Sequence, residues 1–454
     1  MTNADLMRMF EEKRPVCVMA QMAIERLLAA DELDRLFADN AEDQYERTLL
    51  FSSLARLMAA VVLCREATVN SAYKKMKEQI GVSLTALYEK LARVELRLSQ
   101  ALVRHSYAQL KSVSNHLRTF DRSSIPGFNE KVLDGNHLAG TERRLKETRR
   151  STAAPLPGKN LVVLDPRREA IADLFPIEDG HAQERSALDA VIETIEPRDL
   201  WIADANFCTL KFLYEIDRRG GRFVIRLHSQ LHGEPLGPRR YCGKTATGRI
   251  YESLLRLPVY DGRTLIVRCV ELELDEPTRD GEQTLKILTN LSEEEASTRE
   301  VAETYHGRWR IETAFQKLTT TLHCEVDTLC YPKATIFAFS LACLAYNATS
   351  LMLTAIRAEY GKEKTAELSF HYLAQEISQA HDGLQVMVPD GYWDTIRDLS
   401  LDEFTQRLRE VARHIDFDLY RKAKRRPRKP KPKLQHQRSQ VHVSTAKILQ
   451  QRKQ

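Results

Sequence analysis

Through residues 1–120 apolar side chains recur at three- and four-residue spacing and glycine is almost absent, a pattern that predicts helices throughout. One segment is more specific. A helical run ending in AYKKMKEQI meets Gly81, Val82 and Ser83, and LTALYEKLARVELRL follows. Ser83 can cap the second helix by accepting a hydrogen bond from a free backbone N–H, with Leu84, Leu87, Leu91 and Val94 on its inner face. Helix, glycine turn and capped helix fit either a helix-turn-helix over 70–97 or an ordinary helical hairpin.

A turn-rich stretch at 121–130 ends this region, and the pattern then changes period. Short apolar runs at 131–134, 161–165, 169–175, 200–204 and 222–227 predict strands, and 182–195 and 209–219 predict helices between them. Several strands before the first helix, followed by alternation, indicate a mixed sheet with helices on its faces. Residues 264–274 and 284–289 alternate apolar and charged positions, marking 228–290 as a β-rich insertion. Helix returns near Ser292. Ser292 with Glu295 and Ser297 with Glu300 both read as capping boxes, and one helix is expected through VAETYHGRWRIETAFQKL. Pro332 suits the first turn of the next helix. That helix carries an uncharged stretch at 334–356, long enough to span a bilayer. Its Ser340, Tyr346, Asn347, Thr349 and Ser350 suit a helix buried against a sheet instead.

Composition adds three things. At 454 residues and 43% hydrophobic, the chain can bury sizeable cores in two to four domains. The net charge is +5, but residues 421–454 hold 13 Lys plus Arg and no acid, which leaves −8 over residues 1–420. A basic tail of this kind, expected to be extended or disordered, suits contact with a polyanion. The eight cysteines are scattered without a Cys-x-x-Cys pair, as in a reducing cytoplasm, and the N-terminus has no signal-peptide pattern.

Three acids are candidates for chemistry. Asp134 and Asp204 each close a strand pattern, and the carboxyl ends of strands are where α/β sites form. Glu312 shares a helix face with Tyr305 and Arg308, while Ile311, Phe315, Leu318 and Leu322 form the adjacent apolar stripe. Carboxylates are hard ligands suited to Mg²⁺ or Mn²⁺, and Arg308 can clamp a phosphate with its planar fork. Asp165 competes with Asp134 for the role of first acid.

Tyr305-His-Gly-Arg308-Trp-Arg-Ile-Glu312 resembles the Tyr-x2-Arg-x3-Glu signature of DDE transposases from bacterial insertion sequences, closest to the IS-four type that includes the Tn-five enzyme. Leu133-Asp134-Gly135-Asn136-His137-Leu138 resembles that family's first acidic motif, and Ala203-Asp204-Ala205-Asn206-Phe207 the second. The acids lie 70 and 108 residues apart, and the family fills the longer gap with a β-rich insertion. The resemblance spans roughly residues 130–360. It implies an α/β fold, an RNase H-like mixed sheet with a β-rich insertion, preceded by an all-α N-terminal domain. The corresponding division is a helical DNA-binding domain at 1–120, a catalytic domain at 125–227 and 291–360, the insertion at 228–290, a helical C-terminal region at 361–420 and the basic tail at 421–454.

The resemblance further implies cut-and-paste transposition. Asp134, Asp204 and Glu312 would bind two Mg²⁺ ions, with Mn²⁺ as a substitute, and Tyr305 and Arg308 would contact phosphate. The DNA partners would be terminal inverted repeats and target DNA, held by a homodimer in a cytoplasmic, nucleoid-associated bacterial protein with no membrane partner. Lys317, Arg239, Arg240 and Lys244 are further candidate DNA contacts. Two departures stand out. Thr319 occupies the signature's lysine position, with Lys317 the nearest substitute, and no tryptophan lies between Asp204 and Glu312, leaving Tyr241, Tyr251 or Tyr260 for base stacking. A catalytically inactive DNA-binding protein or repressor derived from a transposase is the alternative.

Overall fold

The computed structural model describes residues 3–44, 46–150, 155–278, 281–388, 390–423 and 444–452. Eight helices come first: α1 (Asn3–Lys13), α2 (Pro15–Leu27), α3 (Ala30–Asn40), α4 (Phe51–Val62), α5 (Val69–Lys75), α6 (Lys77–Ile80), α7 (Leu84–Arg93) and α8 (Leu96–Leu117). The turn before α7 is built as its residues require. Gly81 ends α6 in the left-handed region at φ 65°, and Ser83 Oγ accepts the Ala86 N–H at 3.2 Å. Tyr73 Oη donates across the turn to the Val82 carbonyl at 2.9 Å.

A mixed sheet follows, making the fold α/β. Its strands are β1 (Asn129–His137), β2 (Lys159–Asp165), β3 (Ala170–Ile177), β4 (Asp199–Ala203), β5 (Arg222–Arg226), β6 (Glu234–Pro235), β7 (Arg240–Lys244), β8 (Gly248–Arg256), β9 (Ile266–Leu274) and β10 (Thr284–Thr289). The order is β3-β2-β1-β4-β5-β10-β9-β8-β6, with β7 also paired to β8. Strands β1, β4 and β5 are parallel, and β2, β3 and β10 run antiparallel to their neighbours. The β-rich stretch therefore does not stand apart from the sheet. Strand β10 pairs with β5 and carries the ladder on into β9 and β8.

Helices α9 (Leu188–Ile192) and α10 (Leu210–Arg218) pack on one face, and α11 (Thr298–His306), α12 (Trp309–Thr320) and α13 (Pro332–Ala366) on the other. Alternation along the strands sorts the side chains. Leu133, Leu161, Val163, Trp201, Ala203 and Phe223 bury with α9 and α10. Val132, Val162, Leu164, Leu200, Ile202 and Val224 join a second core shared with α11, α12, α13 and the N-terminal helices.

Packing explains why the uncharged stretch 334–356 of α13 carries polar side chains. Pro332 opens it. By length and composition it can cross a membrane, yet 94% of its most apolar window is buried inside the protein. Asn347, fully buried, accepts the Ile171 N–H at 2.8 Å and donates to the Ile171 carbonyl and to Ser106 Oγ, both at 2.9 Å. Its amide thus acts as one more ladder partner for edge strand β3. Ser350 likewise donates to the Glu169 carbonyl at 2.7 Å.

Two further expectations change. The helix expected to run unbroken through 301–318 divides at Gly307–Arg308, where the N–H groups of Arg308, Arg310 and Ile311 bond three residues back. Glycine in a helix interior is disfavoured. Ser297 and Glu300 form the capping box of α11, whereas Ser292 and Glu295 exchange the same bonds in a turn. The helix expected over 182–195 is a 3₁₀ turn, Glu184–Ala187, leading into the five-residue α9. Helices α14 (Phe370–Met387), α15 (Asp390–Arg397), α16 (Leu401–Ala412) and α17 (Phe417–Tyr420) close the helical layer. Most of the basic tail, 424–443, lies outside the described residues. Beyond it α18 (Thr445–Gln451) docks on the body, with Ser444 bridged to Leu156 and bonded to Asp179, Lys447 3.3 Å from Asp179, and Arg452 paired with Glu147.

Candidate active site

Asp134 lies in β1 and Asp204 immediately follows β4. Leu133 and Ala203 are direct partners in the parallel register, so the two aspartates follow at adjacent positions at the same end of the sheet. Both have the parity of the strand residues that face α11 and α12. Asp204 caps the next turn, its Oδ1 accepting the Asn206 N–H at 2.9 Å. Glu312 lies in the first turn of α12.

Arg308 joins the group. Its Nη1 donates to Asp134 Oδ2 at 2.8 Å and its Nη2 to Glu312 Oε1 at 2.7 Å. The guanidinium is nearly buried, at 11% side-chain exposure. One cation thus bridges an aspartate and a helical glutamate that are far apart in sequence; Asp134, expected to close its strand, lies inside β1, because residues 135–137 go on pairing with β2. Burial pushes the Asp134 carboxyl up to about 7; Arg308 pulls it down, while Asp204 and Glu184 push it further up. Tyr305 is buried beside Arg308, with Arg226 and Asp204 in its electrostatic surroundings and its phenol raised by burial.

The donor set is chemically right for a hard divalent cation: three carboxylates converge on one sheet end, and two already hold a positive group. Their oxygens are not gathered as ligands, however. Among the described residues no set of three or more His, Cys, Asp or Glu side chains is close enough to hold a metal ion. The Arg308 guanidinium fills the space between Asp134 and Glu312.

Asp165 has a different role. Strand β2 runs antiparallel to β1, so its last residue lies at the opposite end of the sheet from Asp134. Asp165 is buried there, bonded to Arg168 and Tyr107 Oη at 2.8 Å each and accepting the Arg167 N–H. These contacts tie the sheet to α8.

The other candidate contacts separate from the acids. Lys317 does not reach them. Five residues beyond Glu312 it turns about 140° away around the helix, and its ammonium lies 5.5 Å from the Tyr346 ring and 5.0 Å from Phe370. Burial lowers its pKa. Thr319 is exposed and bonds back to the Phe315 carbonyl. Arg239, Arg240 and Lys244 stand exposed on or beside β7, paired respectively with Glu271 and Glu273, with Glu293, and with Asp275. Tyr241 and Tyr251 are cross-strand partners with ring centres 5.5 Å apart, and Arg239 covers Tyr251 at 4.2 Å. Tyr260 packs on Tyr214 instead.

Sequence reading missed two residues. Arg226, at the end of β5, adds a cation near Tyr305 and pairs with Glu282. Glu184 brings a fourth carboxylate to the aspartates from the 3₁₀ turn after β3. Neither stands in a motif, and only the order of the strands brings them here.

Fold and site together define a mixed α/β protein with acidic residues at adjacent positions of two parallel strands, Asp134 within β1 and Asp204 just past β4. Residues 159–348, somewhat under half of the chain, match the family model described as the transposase DDE domain. The match takes in Asp204, Tyr305, Arg308 and Glu312 and begins after Asp134. It supports a DDE-type transposase, and the ten-stranded mixed sheet is consistent with that fold. No curated protein matches the chain.

Proposed function

We propose that this chain is a cut-and-paste DNA transposase of the IS-four type, with an RNase H-like core in which Asp134, Asp204 and Glu312 form the catalytic triad. The observation that carries this reading is Arg308 bridging Asp134 and Glu312 beside Asp204. Bound by these carboxylates, two Mg²⁺ ions would activate the attacking oxygen and stabilise the leaving one.

The protein's own groups supply the rest. Asp204 is held by its turn, and Asp134 by the sheet ladder, so both floor carboxylates are preorganised. Arg308 releases Asp134 and Glu312 and turns its fork to a DNA phosphate, which offers the same bidentate geometry as a carboxylate. Tyr305, packed behind it, sets the direction of that swing. The exposed cations of β7, with the Tyr241–Tyr251 pair beside them, hold flanking DNA through its backbone and by stacking. The segment around Ser83 and α7 reads terminal repeats, and the basic tail adds sequence-independent affinity. Two transposon ends must be held together for strand transfer, which calls for a homodimer on DNA.

The test is nicking of DNA carrying the gene's own terminal repeats in Mg²⁺. Asp204→Asn and Glu312→Gln should each cut at least about a thousandfold more slowly, roughly 4 kcal/mol of barrier, while still shifting the DNA on a gel. Equal cutting by wild type and Asp204→Asn removes the catalytic assignment. Shifted but uncut DNA with the wild type leaves the inactive DNA-binding alternative.

A further inference from the structure

Glu184 has contacts on both sides of the aspartate pair. Its Oε2 accepts from Asn206 Nδ2 at 2.5 Å, while the backbone N–H of the same asparagine donates to Asp204. The neighbouring Arg185 donates through Nε to the Asn206 carbonyl at 2.5 Å. Two consecutive residues of the 3₁₀ turn therefore grip Asn206 by its side chain and its main chain, and Asn206 in turn orients the Asp204 carboxylate.

On the β1 side the same carboxylate lies against Gly135. A methyl group added to Gly135 would sit 2.2 Å from Glu184 Oε1 and 2.4 Å from its Cδ. The glycine after Asp134 is thus the space in which the Glu184 carboxylate rests. His137 Nδ1 lies 3.7 Å from Oε1, and the Glu184 side chain is only 15% exposed.

We infer that Glu184 is a positioning residue for the cation site: it seats against Gly135, holds Asn206, and through Asn206 fixes Asp204 next to Asp134. The inference rests on the acidic-site reading above. It accounts for a glycine after the first aspartate and an asparagine two residues after the second, because one carboxylate needs room beside the first and a donor from the second. Glu184 touches neither DNA nor the reacting atoms in this role.

Mn²⁺ binding by calorimetry and thermal unfolding test the inference without DNA cleavage. Glu184→Ala should weaken Mn²⁺ binding about tenfold or more, the usual effect of removing a partner that orients a ligand. Glu184→Gln, which keeps the shape and an oxygen for Asn206, should recover most of that loss. Gly135→Ala should weaken binding like Glu184→Ala, since the methyl displaces the carboxylate. The double variant should be no worse than either alone, because deleting the carboxylate makes room for the methyl. Wild-type affinity in Glu184→Ala, or losses that add in the double variant, overturns the inference while leaving the triad standing, provided Asp204→Asn still abolishes binding. Failure of the wild type to bind Mn²⁺ overturns both.

Discussion

Arg308 can satisfy Asp134 and Glu312 or a phosphate, but not all of them with the same N–H groups. Paired with Asp134 and Glu312, it neutralises carboxylates that would otherwise repel one another in a partly buried site. Arg308→Gln should therefore lower cation-free stability by about 2 kcal/mol, a figure below that for fully buried pairs because Glu312 is 39% exposed. Mn²⁺ should then raise the melting temperature more in the variant than in the wild type, because the ion supplies the missing positive charge. Equal increments in a thermal-shift titration would show that Arg308 does not occupy the ion's place. Lysine at this position keeps the charge but not the fork that reaches Asp134 and Glu312 together.

Among the elements, α13 carries a polar load that only its packing explains. Asn347→Leu keeps the volume but strands the N–H and carbonyl of Ile171 in a dry interface, at about 1–3 kcal/mol per unpaired group. Chemical denaturation should record a loss of about 3 kcal/mol, with little change in cation binding, since β3 is two strands removed from β1. Helix α14 offers a pH test. Burial, then Arg65 and Lys75, lower the His381 pKa from its ordinary 6.5 to about 3. A base depressed on folding contributes stability that is complete above the unfolded pKa and lost as pH falls from about 6.5 toward 3. Each pH unit in that window costs up to about 1.4 kcal/mol for one proton. His381→Asn should flatten the fall in melting temperature between pH 7 and pH 5. A parallel fall in both proteins would refute the assignment.

At the scale of the whole molecule, one core runs from the N-terminal helices through α13 to a face of the sheet, so the helical layer and the face that carries the acids share their packing. The charge lies elsewhere. Residues 424–443 carry eight Lys and Arg and no acid, and chain anchored at both ends flanks them: Arg421 is bridged to Leu368, and Ser444 to Leu156. The second anchor lies by Asp179, just past the end of β3 where Ile177 pairs with Lys159 and Lys159 with His137, the end of the sheet that holds Asp134. Replacing the eight cations with glutamine, which leaves α18 intact, should weaken DNA binding without moving the melting temperature. The plot of log affinity against log salt should become shallower by about 0.9 for each phosphate the segment neutralises. An unchanged slope in a filter-binding series would free the tail of any DNA role.

Periodicity alone was enough to read the helices of 1–120, the Ser83 cap, strands β1 to β5, the capping box at Ser297 and the start of α13, because each depends on neighbours within about four residues or on an alternation two residues long. Asp204 and Glu312 were legible as candidates for the same reason, since a strand end and a helix face are local; Asp134 was read as ending its strand, whereas β1 continues to His137 through pairing with β2. Other features were hidden. The division at Gly307 was passed over because glycine disfavours a helix interior without forbidding it, and the aromatic seat of Lys317 depends on α13 and α14 packing against α12. The merging of the β-rich stretch into the main sheet depends on β10 finding β5 some 60 residues back in the chain. Glu184 and Arg226 enter the site only because strand order and direction bring a turn after β3 and the end of β5 to the same end of the sheet. Local spacing determined the elements and the acids they could offer; pairing between distant strands, driven by burial of two apolar faces, decided which charges meet.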